Sequence, residues 1–181
     1  MVVPNQKYID TLNELLQGEM MAMYVYKETE DMQGDEQVMK MLSQFAKDHQ
    51  EHAHLLAERI RELGGTPKTD IGMGGTMANM SAKINALRGP SHLLKQVYDG
   101  EDKGVHAYED RIDELDPQSQ DLVNEIMSVD HDHLKVFKER METEKSERWR
   151  ETPLRPAFGG PTGISRARKA PSFFPLTLTL R

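Results

Sequence analysis

The chain has 181 residues, 37% of them apolar, and no cysteine. That is enough for one core of domain size, and it excludes disulfides, thiolate metal sites, a rubredoxin-type iron centre and a cysteine nucleophile. The net charge of −7 divides unevenly: residues 1–145 hold 16 Lys and Arg against 28 Asp and Glu, net −12, while residues 146–181 hold seven against two, net +5. So acidic a globular part repels a phosphate backbone and attracts cations, which argues against nucleic acid as a partner. The N-terminus MVVPNQKYID lacks the pattern of a signal peptide, and no run approaches the roughly 18 apolar residues of a membrane span. The expected compartment is the cytoplasm, with no membrane partner.

In chain order, residues 5–31 predict a first helix with Ile9, Leu12, Leu15, Leu16, Ala22, Met23 and Tyr26 on one stripe and Glu19 at its centre. Asp35, after the turn Asp31-Met32-Gln33-Gly34, is the expected N-cap of a second helix that runs to residue 63. Glycine then caps and proline stops it, in Gly64-Gly65-Thr66-Pro67. Its apolar stripe is Val38, Met41, Leu42, Phe45, Ala53, Leu56 and Ile60; at about 100° per residue, His49 and His52 fall near the centre of that stripe and Glu51 and His54 on the opposite side. The Gly- and Met-rich stretch up to residue 90 reads as a long crossover with a short helix near residues 78–87. A third helix over residues 91–115 carries Leu94, Val97, Tyr98, Val105, Tyr108, Ile112 and Leu115 with Glu101 centred. A fourth, over residues 117–145, buries Leu122, Val123, Ile126, Leu134, Phe137 and Met141, together with Asp130 and His133.

Short turn, long crossover, short turn predicts an all-α, antiparallel four-helix bundle over residues 1–145, followed by an irregular Pro- and Gly-rich basic tail over residues 146–181. The two hairpins repeat each other. GEMMAMYVYKE (residues 18–28) aligns with GEDKGVHAYED (residues 100–110) at an offset of 82, and HQEH (residues 49–52) with DHDH (residues 130–133) at an offset of 81. Such a repeat implies a pseudo-twofold axis that brings Glu19, His49, His52, Glu101, Asp130 and His133 to one level. A lone mid-stripe Glu or His is commonly satisfied by hydrogen bonds. Three carboxylates and three imidazoles in an apolar interior, with no Lys or Arg on the same faces, are tolerable only when paired or bound to a cation, and iron, manganese or zinc suits such donors.

With these motifs, LNELLQGEMMAMYVY in the first helix, HQEHAHLLAERIRELGGTP in the second, and the Glu and Asp-x-x-His positions of the third and fourth, the chain resembles the ferritin-like superfamily, bacterioferritins and rubrerythrins among them. The resemblance covers residues 5–145 and implies a mid-bundle centre of two iron ions reacting with dioxygen or peroxide. Position by position, Glu19 and Glu101 correspond to terminal carboxylates, His52 and His133 to the two histidines, and Asp130 to a bridging carboxylate. His49 stands where the family has its other bridging glutamate. A neutral imidazole offers one lone pair, so the expected consequences are a weakly held oxidised pair of ions, a single metal, or zinc. A competing frame, Glu51-His52-Ala53-His54, would restore the family's Glu-x-x-His if the helix were rotated. Tyr26 and Tyr108 are either core aromatics or hydrogen-bond donors to a liganding carboxylate of the other hairpin; the resemblance favours the second for Tyr26, the candidate catalytic side chain.

Gln50 occupies the place where bacterioferritins carry a haem-binding methionine, so haem is not expected. Gly104 replaces the additional glutamate of rubrerythrin-type peroxidases, which shifts the expectation from peroxidase to iron oxidation or storage. The expected function is ferrous iron oxidation in a chain that can form a homo-oligomer. The alternatives are a metal-binding or cargo protein too altered for turnover, and a di-iron hydroxylase, which needs an apolar channel and a membrane-facing helix that the sequence does not identify. The tail ends in PLTLTLR, which resembles the peptides that dock ferritin-like cargo inside encapsulin shells.

Overall fold

The structure is a computed structural model and describes residues 5–71 and 90–151. Four helices make up nearly all of it: α1 (Gln6–Asp31), α2 (Glu36–Glu62), α3 (Pro90–Glu109) and α4 (Pro117–Glu151), with a 3₁₀ turn (Ile112–Glu114) before the last. The expected short helix at residues 78–87 and the tail from residue 152 lie outside the described residues. No helix among the described residues is long and apolar enough to cross a membrane.

Local chemistry places the helix ends. The Asp35 carboxylate accepts from the backbone N–H of Gln37 and Val38 at 2.8 and 3.1 Å, as an N-cap should. At the other end of α2, Gly64 takes φ = +82°, the Gly65 N–H reaches Ile60 O and the Gly64 N–H reaches Arg61 O, both at 2.9 Å. This is the Schellman arrangement, which favours glycine at the left-handed position. Gly65 has a second reason to lack a side chain, since a Cβ there would come within 2.7 Å of Ile9 Cγ2 on α1. The buried Asn13 of α1 then guides the departing chain, donating to Thr66 O and accepting from the Lys68 N–H.

Two helix bounds differ from expectation. α3 stops at Glu109 instead of continuing to residue 115, and the last apolar positions, Ile112 and Leu115, reach the core through the 3₁₀ turn. An i, i+3 spacing fits either helix type, so periodicity could not separate them. α4 continues to Glu151 rather than ending at residue 145. Glu and Arg are good helix formers and no proline intervenes before Pro153, so the change in composition at residue 146 does not end the helix.

Contacts between side chains give the topology. Tyr26 meets Glu101 and Tyr108 meets Glu19, so α1 and α3 are antiparallel; Arg59 meets Asp116 and Arg140 meets Asp35, so α2 and α4 are antiparallel. With each hairpin also antiparallel, the order is up, down, down, up, and the link from α2 to α3 joins opposite ends of the bundle. Two apolar clusters fill it. One holds Leu12, Leu16, Leu56, Ile60, Val123 and Ile126; the other holds Tyr26, Val38, Leu42, Leu94, Val97 and Phe137. Each helix passes from one cluster to the other through a single polar stretch, and those four stretches form the site.

Candidate metal centre

Glu19, His49, His52, Glu101, Asp130 and His133 are all buried, each 5% exposed or less. The structure brings all six together between the two apolar clusters. The stripe of α2 decides which histidines face inward: His49 and His52 are buried, whereas Glu51 and His54 are exposed and His54 lies 3.3 Å from Glu58 on the outer face. The rotated frame is therefore not the one α2 adopts, because it would expose Leu42, Phe45 and Leu56.

His49 is the hub. Its Nδ1 is 2.7 Å from Glu19 Oε2 and its Nε2 is 3.1 Å from Glu101 Oε2. Each carboxylate also accepts from a tyrosine of the other hairpin, Glu19 from the Tyr108 hydroxyl at 2.5 Å and Glu101 from the Tyr26 hydroxyl at 2.7 Å. His133 Nδ1 is 2.9 Å from Glu101 Oε1, and its Nε2 is 3.1 Å from Asp48 Oδ2. The Phe45 ring stacks on the His133 imidazole with centroids 3.9 Å apart. Within the cluster two buried atoms have no hydrogen bond: His52 Nδ1, which lies 3.4 Å from Glu19 and 3.5 Å from Asp130, and Asp130 Oδ1 itself.

The electrostatics follow from burial without a Lys or Arg. Burial works against ionisation of Glu19 and Glu101, but hydrogen bonds from His49 to the first and from His133 and His49 to the second bring both down to about 2. Burial also opposes charge on His49, yet its bonds to Glu101 and Glu19 hold it protonated, with a pKa raised to about 11. Asp130 has no such support. Burial and the charges of Glu19 and Glu101 push it up to about 7. Tyr26 is raised well above its ordinary value by burial and by the Glu101 charge, so it donates and does not ionise. It touches the cluster through Glu101.

Donor atoms cluster in two overlapping groups, His49–Glu101–Asp130–His133 and Glu19–His49–His52, each with its atoms within 4.8 Å of one another. One N or O donor per residue, about 2.0–2.2 Å from a common centre, needs only small side-chain shifts from such spacing. The unpaired Asp130 Oδ1 and His52 Nδ1 are what a cation would satisfy, so the residues fit a metal. Sequence reasoning missed Asp48. It is only 29% exposed at its side chain and sits at the edge of the α2 stripe, one residue before His49; the antiparallel register of α2 and α4, which places it against His133, is the signal that finds it.

A family model described as "Domain of unknown function (DUF2383)" matches residues 7–114, more than half of the chain. The chain belongs to that family. The matched part of this DUF2383 chain holds Glu19, Tyr26, His49, His52, Glu101 and Tyr108 and stops short of Asp130 and His133. No curated protein matches the chain. Solved structures do. The bacterioferritin-related protein from Bacteroides fragilis, a dodecameric thioferritin, is 21% identical, with 81% of this chain and 90% of that one covered at a TM-score of 0.64. A ferritin-like diiron-carboxylate protein from Bacillus anthracis str. Ames is 22% identical (74% and 94% covered, TM-score 0.59). The Desulfovibrio desulfuricans bacterioferritin, whose diiron site was seen in different catalytic states, is 20% identical (91% and 99% covered, TM-score 0.66). At these identities the likeness shows the fold, and the fold of this DUF2383 chain is the ferritin-like four-helix bundle.

Proposed function

We propose that the protein binds iron at the mid-bundle cluster and oxidises ferrous iron with dioxygen or peroxide. The observation that carries this reading is the pair of buried atoms without a hydrogen bond, Asp130 Oδ1 and His52 Nδ1, inside a cluster of three carboxylates and three imidazoles. Iron suits these donors, manganese and zinc being the alternatives, and two of the structural relatives named above are diiron proteins. Iron held there supplies one-electron chemistry toward oxygen.

The chain's own part is to bind, orient and shed protons. Glu101, Asp130, His49 and His133 would hold one ion, and Glu19, His49 and His52 approach a second. Tyr26 and Tyr108 keep Glu101 and Glu19 pointed inward, and Asp48 sets the tautomer and ring plane of His133. Binding releases the His49 proton and any proton on Asp130, so metal affinity rises with pH through the neutral range.

A second reading is metal binding without turnover, favoured by His49, which belongs to both donor groups and lacks the two oxygens of a bridging carboxylate. Elemental analysis of the purified protein gives metal identity and number, and stopped-flow absorbance after mixing with aerobic ferrous iron separates the readings. Rapid colour supports oxidation; bound iron with no colour supports the second, and a protein that binds none of the three metals refutes both. Homo-oligomer formation belongs to the same proposal, supported by the dodecameric relative. So does a separate role for the basic tail in docking to an encapsulin-type shell, tested by deleting residues 170–181 and measuring co-purification.

A further inference from the structure

A cavity of about 500 Å³ lies between α1 and α3 and reaches the metal cluster. Leu15, Met21, Ala22 and Val25 line it from α1, Val97 and Ala107 from α3, and Glu19, Glu101 and Asp130 at its buried end. Its volume falls within the roughly 300–1,000 Å³ of small-molecule sites.

Three glycines, Gly18, Gly100 and Gly104, also line this space. All three lie inside helices, where glycine is disfavoured relative to alanine, and close packing does not account for them. A Cβ at any of the three would meet nothing within 4 Å. Their effect is to leave the cavity clear. The second observation is at the buried end, where Asp130, 2% exposed, lines the cavity and its Oδ1, 3.5 Å from His52 Nδ1, accepts no hydrogen bond. The third is the charge of the rim. Lys103 and Arg111 stand there against Glu14, which is itself paired with Arg111 at 2.7 Å. Apolar walls and an excess of cationic side chains make a poor route for a metal ion and suit an uncharged guest.

We propose that the α1–α3 cavity binds a compact, uncharged, largely apolar organic molecule that carries one hydrogen-bond donor, with its body along the glycine-lined walls and its donor toward Asp130. Binding itself does not depend on the metal. Its meaning for function rests on the metal-centre reading, because a molecule held there lies against the carboxylates proposed to hold iron, as a second substrate of that centre.

The test is calorimetric titration of the full chain with indole, using benzylammonium as the cationic control, on the wild type and on Gly104→Leu and Ala22→Leu, which fill the cavity from opposite walls. Cobalt(II) titration followed by visible absorption reports the metal site separately, and circular dichroism confirms that each variant is folded. The expected result is indole binding with a Kd below about 1 mM, weakened at least tenfold in both variants, and unchanged cobalt stoichiometry. Absence of indole binding to the wild type, equal affinity in the folded variants, or benzylammonium binding as tightly as indole overturns the proposal. So does a wild-type dimer that Gly104→Leu dissociates, which would make the face an interface. Failure of the metal reading looks different: cobalt fails to bind whatever indole does.

Discussion

The two hairpins agree at their ends and disagree in the middle. Asp35 caps α2 and pairs with Arg140 of α4; Asp116 caps α4 and pairs with Arg59 of α2. Both relations follow the same offset of 81 residues, as do the motifs at residues 49 and 130. Tyr26–Glu101 and Tyr108–Glu19 are likewise reciprocal. At the centre the symmetry fails twice. His49 faces Asp130 as its counterpart, and Asp48, which supports His133, has as its counterpart Val129, which is 38% exposed and leaves His52 without equivalent support. One donor group is therefore preorganised around Glu101 with four residues, and the other, around Glu19, has three. The lesson is that duplicated scaffolding can hold unequal clusters of metal-ligating side chains.

The strongest way to break this comparison is to remove the two glutamates in turn. Glu101→Ala is expected to weaken the tighter metal by 100-fold or more in a calorimetric titration, whereas Glu19→Ala leaves that first binding step in place and removes only a weaker one. Equal losses would show that the two donor groups are equivalent. His49→Glu attacks the asymmetry itself. In chelator it should destabilise the protein by about 3–5 kcal/mol, because it replaces the cation shared by two buried carboxylates with a further anion, and added metal should restore the urea midpoint. Next in size, Asp48→Asn should lower metal affinity about 10–100-fold through His133 without altering metal-free stability.

Proton linkage sharpens the same picture. Asp130 releases its proton near its ordinary 3.8 when unfolded and near 7 when folded, so its ionisation removes stability from the metal-free protein as pH rises between those values. Glu19 and Glu101 act oppositely. Their folded values of about 2 lie below the ordinary 4.5, so their contribution is present above pH 4.5 and lost as pH falls toward 2. His49, raised from 6.5 to about 11, loses its contribution only as pH rises above 6.5. Denaturation midpoints measured in chelator should therefore decline from pH 5 to 7 in the wild type and decline clearly less over that range in Asp130→Asn, where the His49 contribution alone remains. The smallest effect expected is at the ends: Asp35→Ala and Asp116→Ala should each cost about 1 kcal/mol, by similar amounts, with metal stoichiometry unchanged.

Much of this was legible because helices announce themselves by period. The inward position of His49 and His52 followed from the apolar residues around them, since a helix that turned Glu51 inward would have to expose Leu56 and Phe45. The Asp35 cap and the Gly64-Gly65 stop were readable for the same local reason. Asp48 was not, being at the edge of the stripe and meaningful only beside His133, 85 residues away. Nor were the reciprocal Arg59 and Arg140 pairs, whose partners lie on the other hairpin, or the 3₁₀ turn at Ile112–Glu114, whose i, i+3 spacing is common to two helix types.

By itself the sequence determined which face of each helix is apolar and which acidic and imidazole groups interrupt it, because a period of 3.6 residues and the avoidance of lone buried charge act within one helix. Only the tertiary structure decided how those groups share the space: that His49 touches both carboxylates, that Asp130 and His52 keep atoms unpaired, and that α1 and α3 stand apart over three glycines. Those outcomes depend on the distance and register between helices, which are set by packing many side chains at once and by no segment alone.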